Sequence, residues 1–251
     1  MIRLFTILII CFFSLIITAQ TPWCYSLGAG ILGSGRILTY GNTHLNDTEK
    51  NQLQILEVLK PGYMGSYGLE KEIRKKSKIE LAIGYQYSGF GSKTFTIADT
   101  VRNTTPQFAL FRESYIIHRI FLSSALSRTF FKRGKSSFFA SGGSALFYSP
   151  RFVRRTYSIY EDGSTGIVST TEKPLPEFPR LDISVQLRVG YERELGQNTA
   201  LSIAPNLRYF VRPYPTRGDK VLLDYLFLKK KTTGHLYTFG LEVRFIKAIV
   251  R

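Results

Sequence analysis

Three histidines are the first residues to test for chemistry: His44, His118 and His235. An acyl hydrolase or transferase needs a serine nucleophile, a histidine base and an acid that holds the base. Ser123 and Ser124 follow His118 in the stretch "YIIHRIFLSSAL". Five or six residues along an extended strand, at about 3.3 Å each, put them too far away for a direct hydrogen bond. His44 and His235 fall in or beside long polar connections. Histidine and cysteine show no metal-site spacing, and no glycine-rich phosphate loop leads from a strand into a helix. The expectation is no catalytic, cofactor-binding or metal residue.

Charge carries more information. The chain has 34 Lys+Arg against 18 Asp+Glu, a net charge of +16. Such an excess favours anionic partners. Its clusters are short: Arg74, Lys75, Lys76 and Lys78, and Lys132, Arg133 and Lys135, are expected in short turns; Arg151, Arg154 and Arg155, and Lys229, Lys230 and Lys231, are expected in long loops. Each reads first as a contact for lipid headgroups or lipopolysaccharide phosphates, and second as a docking surface for an acidic partner. No recognition-helix or aromatic-basic motif of the nucleic-acid class is present.

The elements that position these residues are strands. In "DISVQLRVGYERELGQNTALSIAPNLRYFVRP", residues 182–213, apolar and polar side chains alternate through two long arms around Gly196-Gln197-Asn198. A period of two held this long is a strand signal. Arms of this length suit a membrane-crossing strand of about 9–11 residues. The pattern recurs at Trp23 to Leu32, about Val58 to Ile73, Ile79 to Phe90 and Leu236 to Phe245. It is less clean at Tyr115 to Phe130 and Ser137 to Tyr148. Counting gives eight strands, with short connections after the second, fourth and sixth and long ones between. This rhythm predicts an all-β fold, an eight-stranded antiparallel up-and-down transmembrane β-barrel with short turns on the periplasmic side.

The opening "MIRLFTILIICFFSLIITAQ" has one charge, Arg3, then an apolar run ending at Ala19. It reads as a signal peptide, residues 1–19, cleaved to leave a barrel domain over 20–251. That leaves Cys24 as the single cysteine of the exported chain, so no internal disulfide is expected. The expected location is the outer membrane, reached by the general secretory pathway.

In such a barrel the apolar faces meet lipid and the polar faces fill the lumen. Arg188, Arg208 and Arg244 are then expected to pair across it with Glu80, Glu192, Glu194 and Glu242. Eight strands leave an interior that side chains fill, so no open pore is expected. Pro205 lies within an arm and predicts a bulge. His118 shares a face with Ile116, Ile120 and Leu122 and is placed at the lipid rim.

Two stretches resemble the PorT-like outer-membrane β-barrel family. "LSIAPNLRYFV" looks like that group's penultimate strand through Leu201, Ile203, Pro205, Leu207, Arg208 and Tyr209, with Ala204 in place of an acidic residue. "YIIHRIFLSSAL" looks like its fourth strand through Tyr115, Ile116, Ile120 and Leu122, with Arg119 where proline is common. The resemblance implies eight strands, a signal peptide, the outer membrane and no catalytic residues, and some relatives serve protein secretion. Function is therefore expected to lie in binding or assembly, with an envelope or secretion-system protein as a possible partner and the oligomeric state open. The alternatives are a lipid A-modifying enzyme and a soluble periplasmic barrel.

Overall fold

The computed structural model describes residues 23–40, 57–92, 95–99, 107–159, 165–171, 180–215 and 232–249. Residues 1–19, His44 and Lys229 to Lys231 lie outside them. Every regular element among the described residues is a strand. In chain order they are β1 (Trp23–Tyr40), β2 (Glu57–Arg74), β3 (Ser77–Ser92), β4 (Phe95–Asp99) and β5 (Gln107–Arg133). They continue with β6 (Ser136–Ile159), β7 (Thr165–Thr171), β8 (Leu181–Gly196), β9 (Thr199–Pro215) and β10 (Thr232–Ala248).

Eight of the ten close a ring. β1, β2, β3, β5, β6, β8, β9 and β10 pair each with the next, all antiparallel, and β10 pairs back onto β1 from Cys24↔Ala248 to Tyr40↔Thr232. Closure leaves the wall no open edge. The chain is thus an all-β, eight-stranded antiparallel up-and-down barrel. Its turns at 75–76, 134–135 and 197–198 lie at one end, together with Trp23 and Ala248.

The two additional strands extend one side of the other end. β4 pairs with β5 above the stretch that meets β3, and β7 pairs with β6 above the stretch that meets β8. The alternation reading missed this extension. β5 has 27 residues and β6 has 24, well beyond Tyr115 to Phe130 and Ser137 to Tyr148. Arg151, Arg154 and Arg155 accordingly stand on β6 and not in a loop. A bulge breaks the pattern here: His118 faces Arg151, and Ile120 faces Tyr148, so β6 has one residue more than β5. Pro150 falls in the bulge, where its missing N–H takes no rung from the ladder. The bulge expected at Pro205 is absent. Pairing of β9 with β8 lapses between Arg188↔Asn206 and Tyr191↔Ile203 but resumes without a register shift.

Face assignment follows the inverted rule. On β8, Leu181, Ile183, Val185, Leu187 and Val189 are exposed, from 49% to 58%. Asp182, Ser184, Gln186 and Arg188, which alternate with them, are all buried. Ten residue steps from Leu181 to Tyr191 cover about 33 Å of strand, or about 25 Å once tilted by about 40°.

The lumen has two storeys. The half nearer the short turns holds carboxylates and arginines. The other half holds an aromatic cluster of Phe90, Tyr115, Phe121, Phe147, Phe152 and Phe210 with Ile117, Ala145 and Leu236. Aromatics on the inner face explain why β5 and β6 alternate poorly in sequence: both of their faces are apolar. Gly84 makes room for one of these rings, since a Cβ there would strike Phe121 and the Gly65 carbonyl.

Candidate functional site

The lumen charges form one connected network. Glu80 accepts hydrogen bonds from Arg188 and from Arg244, the latter at 2.8 Å. Arg244 also donates to Glu70 at 2.9 Å. Arg188 donates to Glu242 at 3.4 Å and to the Ser141 hydroxyl at 3.0 Å, and the Asn206 amide reaches Glu242 at 3.1 Å. All of these carboxylates and guanidinia are buried. Charged side chains are tolerated away from water when they are paired and hydrogen-bonded, and these are. The cavity between them, about 20 Å³ beside Ser26, Ser66, Glu80 and Arg188, has room for about one water.

Three of the expected lumen charges behave differently. Glu194 lies at the rim and takes a 2.8 Å bond from Lys132, both of them exposed. It follows the last inward position of β8, where the strand leaves the wall for the 197–198 turn. Glu192 pairs with Lys78 at 2.7 Å at the lumen mouth and not with an arginine. Arg208 donates to Gln86 at 2.8 Å, and its guanidinium lies 4.7 Å from the Phe121 ring centre. It sits at the floor of the aromatic storey and donates to Gln86, not to a carboxylate, although it lines the same small cavity as Glu80 and Glu242.

The structure adds residues the sequence reading left out. Glu70 completes the network. Arg119 is fully buried with its guanidinium 4.2 Å from the Phe210 ring, and Arg36 lies 4.5 Å over Phe90. Arg154, expected in a basic loop, faces Tyr115 at 5.8 Å. Cation–π contact suits a guanidinium kept from water. Strict alternation through His118 would have put Arg119 inside.

At the short-turn end, Arg74, Lys75, Lys76, Lys132, Arg133 and Lys135 are exposed, as the turn reading requires. Lys78 departs from that group, because it points into the mouth to meet Glu192. Beneath the turns lies an open cup of about 560 Å³, lined by Glu70, Lys78, Glu192 and the half-buried Cys24 among others. At the other end, His118 faces outward. Its Nδ1 lies 2.6 Å from the Tyr85 hydroxyl, and its ring meets Tyr87 edge-on at 5.4 Å. His235 stacks on Tyr209 at 5.3 Å, with Nδ1 3.2 Å from the Phe210 carbonyl. Among the described residues no cluster of three or more His, Cys, Asp or Glu could hold a metal ion.

A closed wall of eight strands, apolar outside and ion-paired inside, is the fold of the eight-stranded outer-membrane β-barrels. No protein-family model matches the chain. No curated protein matches it either. Solved structures do show similarity. The outer membrane protein OprG of Pseudomonas aeruginosa shares 6% identity over 91% of this chain and 97% of its own, with a TM-score of 0.43. The N-terminal β-barrel domain of Pseudomonas aeruginosa OprF shares 13% over 90% and 99%, with a TM-score of 0.35. Neisserial surface protein A shares 9% over 88% and 95%, also with a TM-score of 0.35.

Proposed function

We propose that this is an exported outer-membrane barrel that acts by contact, through its turns and its far-end extensions, without an open pore and without catalysis. The inversion on β8 carries the membrane reading: Leu181 to Val189 present apolar side chains to the surroundings while Asp182 to Arg188 are buried between them. A soluble barrel would bury the first set, because exposed apolar area on this scale costs about 25 cal/mol per Å² in water. The paired lumen supports the absence of a pore.

The order of the two family-like stretches in the wall supports this reading. "LSIAPNLRYFV" lies on β9, the penultimate wall strand, and "YIIHRIFLSSAL" lies on β5, the fourth. Kinship with PorT-like barrels is thus part of this proposal, with an accessory role in secretion or envelope assembly and an acidic periplasmic partner at the basic turns. Fractionation tests the reading. The protein should follow outer membranes and shift mobility on SDS gels after boiling, and recovery in the soluble periplasm would refute it.

A further inference from the structure

We propose that Tyr63, Tyr85, Tyr87, His118 and Arg151 form a site on the outer wall for the phosphorylated sugar headgroup of an outer-leaflet glycolipid. This rests on the membrane reading above and goes on to name a lipid and its contacts.

The ladder sets four of these residues in one row across adjacent strands. Tyr63 on β2 faces Tyr87 on β3, Tyr87 faces His118 on β5, and His118 faces Arg151 on β6. Tyr85 stands one outward position below Tyr87. The row lies just beyond Ile120 and Tyr148, which face each other at the upper end of the apolar wall. Headgroups begin at that level, and aromatic side chains with polar tips favour it.

The bulge at Pro150 is what brings Arg151 into the row. Phe147 and Ser149 point inward, and unbroken alternation would turn Arg151 inward after them. The extra residue reverses that, and Arg151 is exposed on the outer wall opposite His118. Bulges serve to re-aim a side chain in this way.

The chemistry of the row matches one kind of ligand. Tyr63 and Tyr87 stack at 5.0 Å with their planes 11° apart, and Tyr63 is 53% exposed. The stack leaves the far face of Tyr63 uncovered by Tyr87, and that face suits the apolar side of a sugar ring. The Tyr85 hydroxyl at His118 Nδ1 fixes the imidazole, and with tyrosine as donor the Nε2 carries the proton and can donate outward. The guanidinium of Arg151 offers the forked donors that match a phosphate. Phosphate without the sugar would leave the tyrosine pair unused.

The test uses the full barrel in phosphatidylcholine nanodiscs, with lipid retention read by native mass spectrometry. Bisphosphorylated lipid A is the probe, and dephosphorylated lipid A and phosphatidylglycerol are the comparisons. The wild type should retain the phosphorylated glycolipid in preference to both. Arg151→Gln should lower that retention by about tenfold, the scale of one charge-assisted hydrogen bond. Arg193→Gln, at the opposite rim, should change nothing. His118→Asn provides a second variant, and the heat-dependent gel shift checks folding of each. Equal retention of phosphatidylglycerol, or undiminished retention by folded Arg151→Gln and His118→Asn, would overturn the site. Failure of the wild type to insert into nanodiscs would instead overturn the membrane reading.

Discussion

Glu80 on β3 and Arg244 on β10 lie 164 positions apart in sequence and 2.8 Å apart across the lumen. Arg188, on β8, completes the clasp from a third strand. Glu80 therefore ties together parts of the wall that do not neighbour one another in the ladder, and it does so where water has little room.

Glu80→Gln should consequently destabilise the barrel, but by less than the penalty of about 3–5 kcal/mol for a fully stranded buried charge, because Arg244 keeps Glu70 and Arg188 keeps Glu242. Two guanidinia would lose their shared carboxylate while staying buried. Unfolding in urea from lipid vesicles measures this. Lys132→Gln, which breaks the exposed pair with Glu194, should cost at most about 1 kcal/mol by the same assay.

Much of the barrel was legible because a wall with one apolar and one polar face writes period two into its sequence. The eight wall strands, the short turns and the direction of β8 all follow from it. Legibility ended where both faces carry similar side chains. In β5 and β6 the inner residues Phe121 and Phe147 are as apolar as the outer Leu122 and Leu146, so pattern gives no boundary. Charge pairing was legible by face but not by height. Glu194 and Glu242 lie on strands that alternate equally well, and only the position of the turn separates a rim carboxylate from a lumen one. Glu70 was visible on the polar face of its strand, but its partner Arg244 is 174 positions away.

A lumen closed at both storeys should not conduct. Planar bilayers with the purified protein should show no steady current, since the ion network and the Phe121–Phe147–Phe210 layer stand in series. Porin-like steps in the wild type would contradict the packing described here.

The turn at Lys76 stores strain that a single change should release. Lys76 has φ of 78°, in the left-handed region, and the corresponding φ of 57° in the next short turn belongs to Gly134. A side chain there costs about 1–2 kcal/mol, part of which glycine returns through its freer unfolded chain. Lys76→Gly should stabilise the barrel by up to about 1 kcal/mol, and Gly134→Ala should destabilise it by a similar amount. Urea midpoints of the two variants decide the sign.

The last strand runs beyond Phe245, the end of the alternating stretch, to Ala248. Ile246 is buried, Lys247 and Ala248 pair with Tyr25 and Cys24, and the Ile249 amide donates to the Trp23 carbonyl at 2.7 Å. Phe245 faces outward between Leu27 and Leu201. Phe245→Asp should thus impair membrane assembly severely, while deletion of 250–251 should leave it intact. A cut after Phe245 would remove a buried residue and several ladder rungs, so it should also impair assembly. Heat-modifiable protein recovered from membranes gives the comparison.

Contact and catalysis make opposite demands on His118. A triad would give its ring a serine and an acid, whereas the hydrogen-bond partner at Nδ1 is the Tyr85 hydroxyl and the ring neighbour is Tyr87. Ser123 points the other way, buried with its hydroxyl 3.4 Å from the Ala82 carbonyl. His118→Ala should therefore leave lipid A acylation unchanged in whole cells, as seen by mass spectrometry, even where it weakens retention of the lipid. Neutralising Arg74, Lys75 and Lys76 together should abolish a contact-based phenotype, because these side chains are exposed at the turn and take no part in the wall. The barrel should still assemble and shift on boiling. An acylation change that vanishes in His118→Ala, with the basic turn dispensable, would replace the contact reading with an enzymatic one.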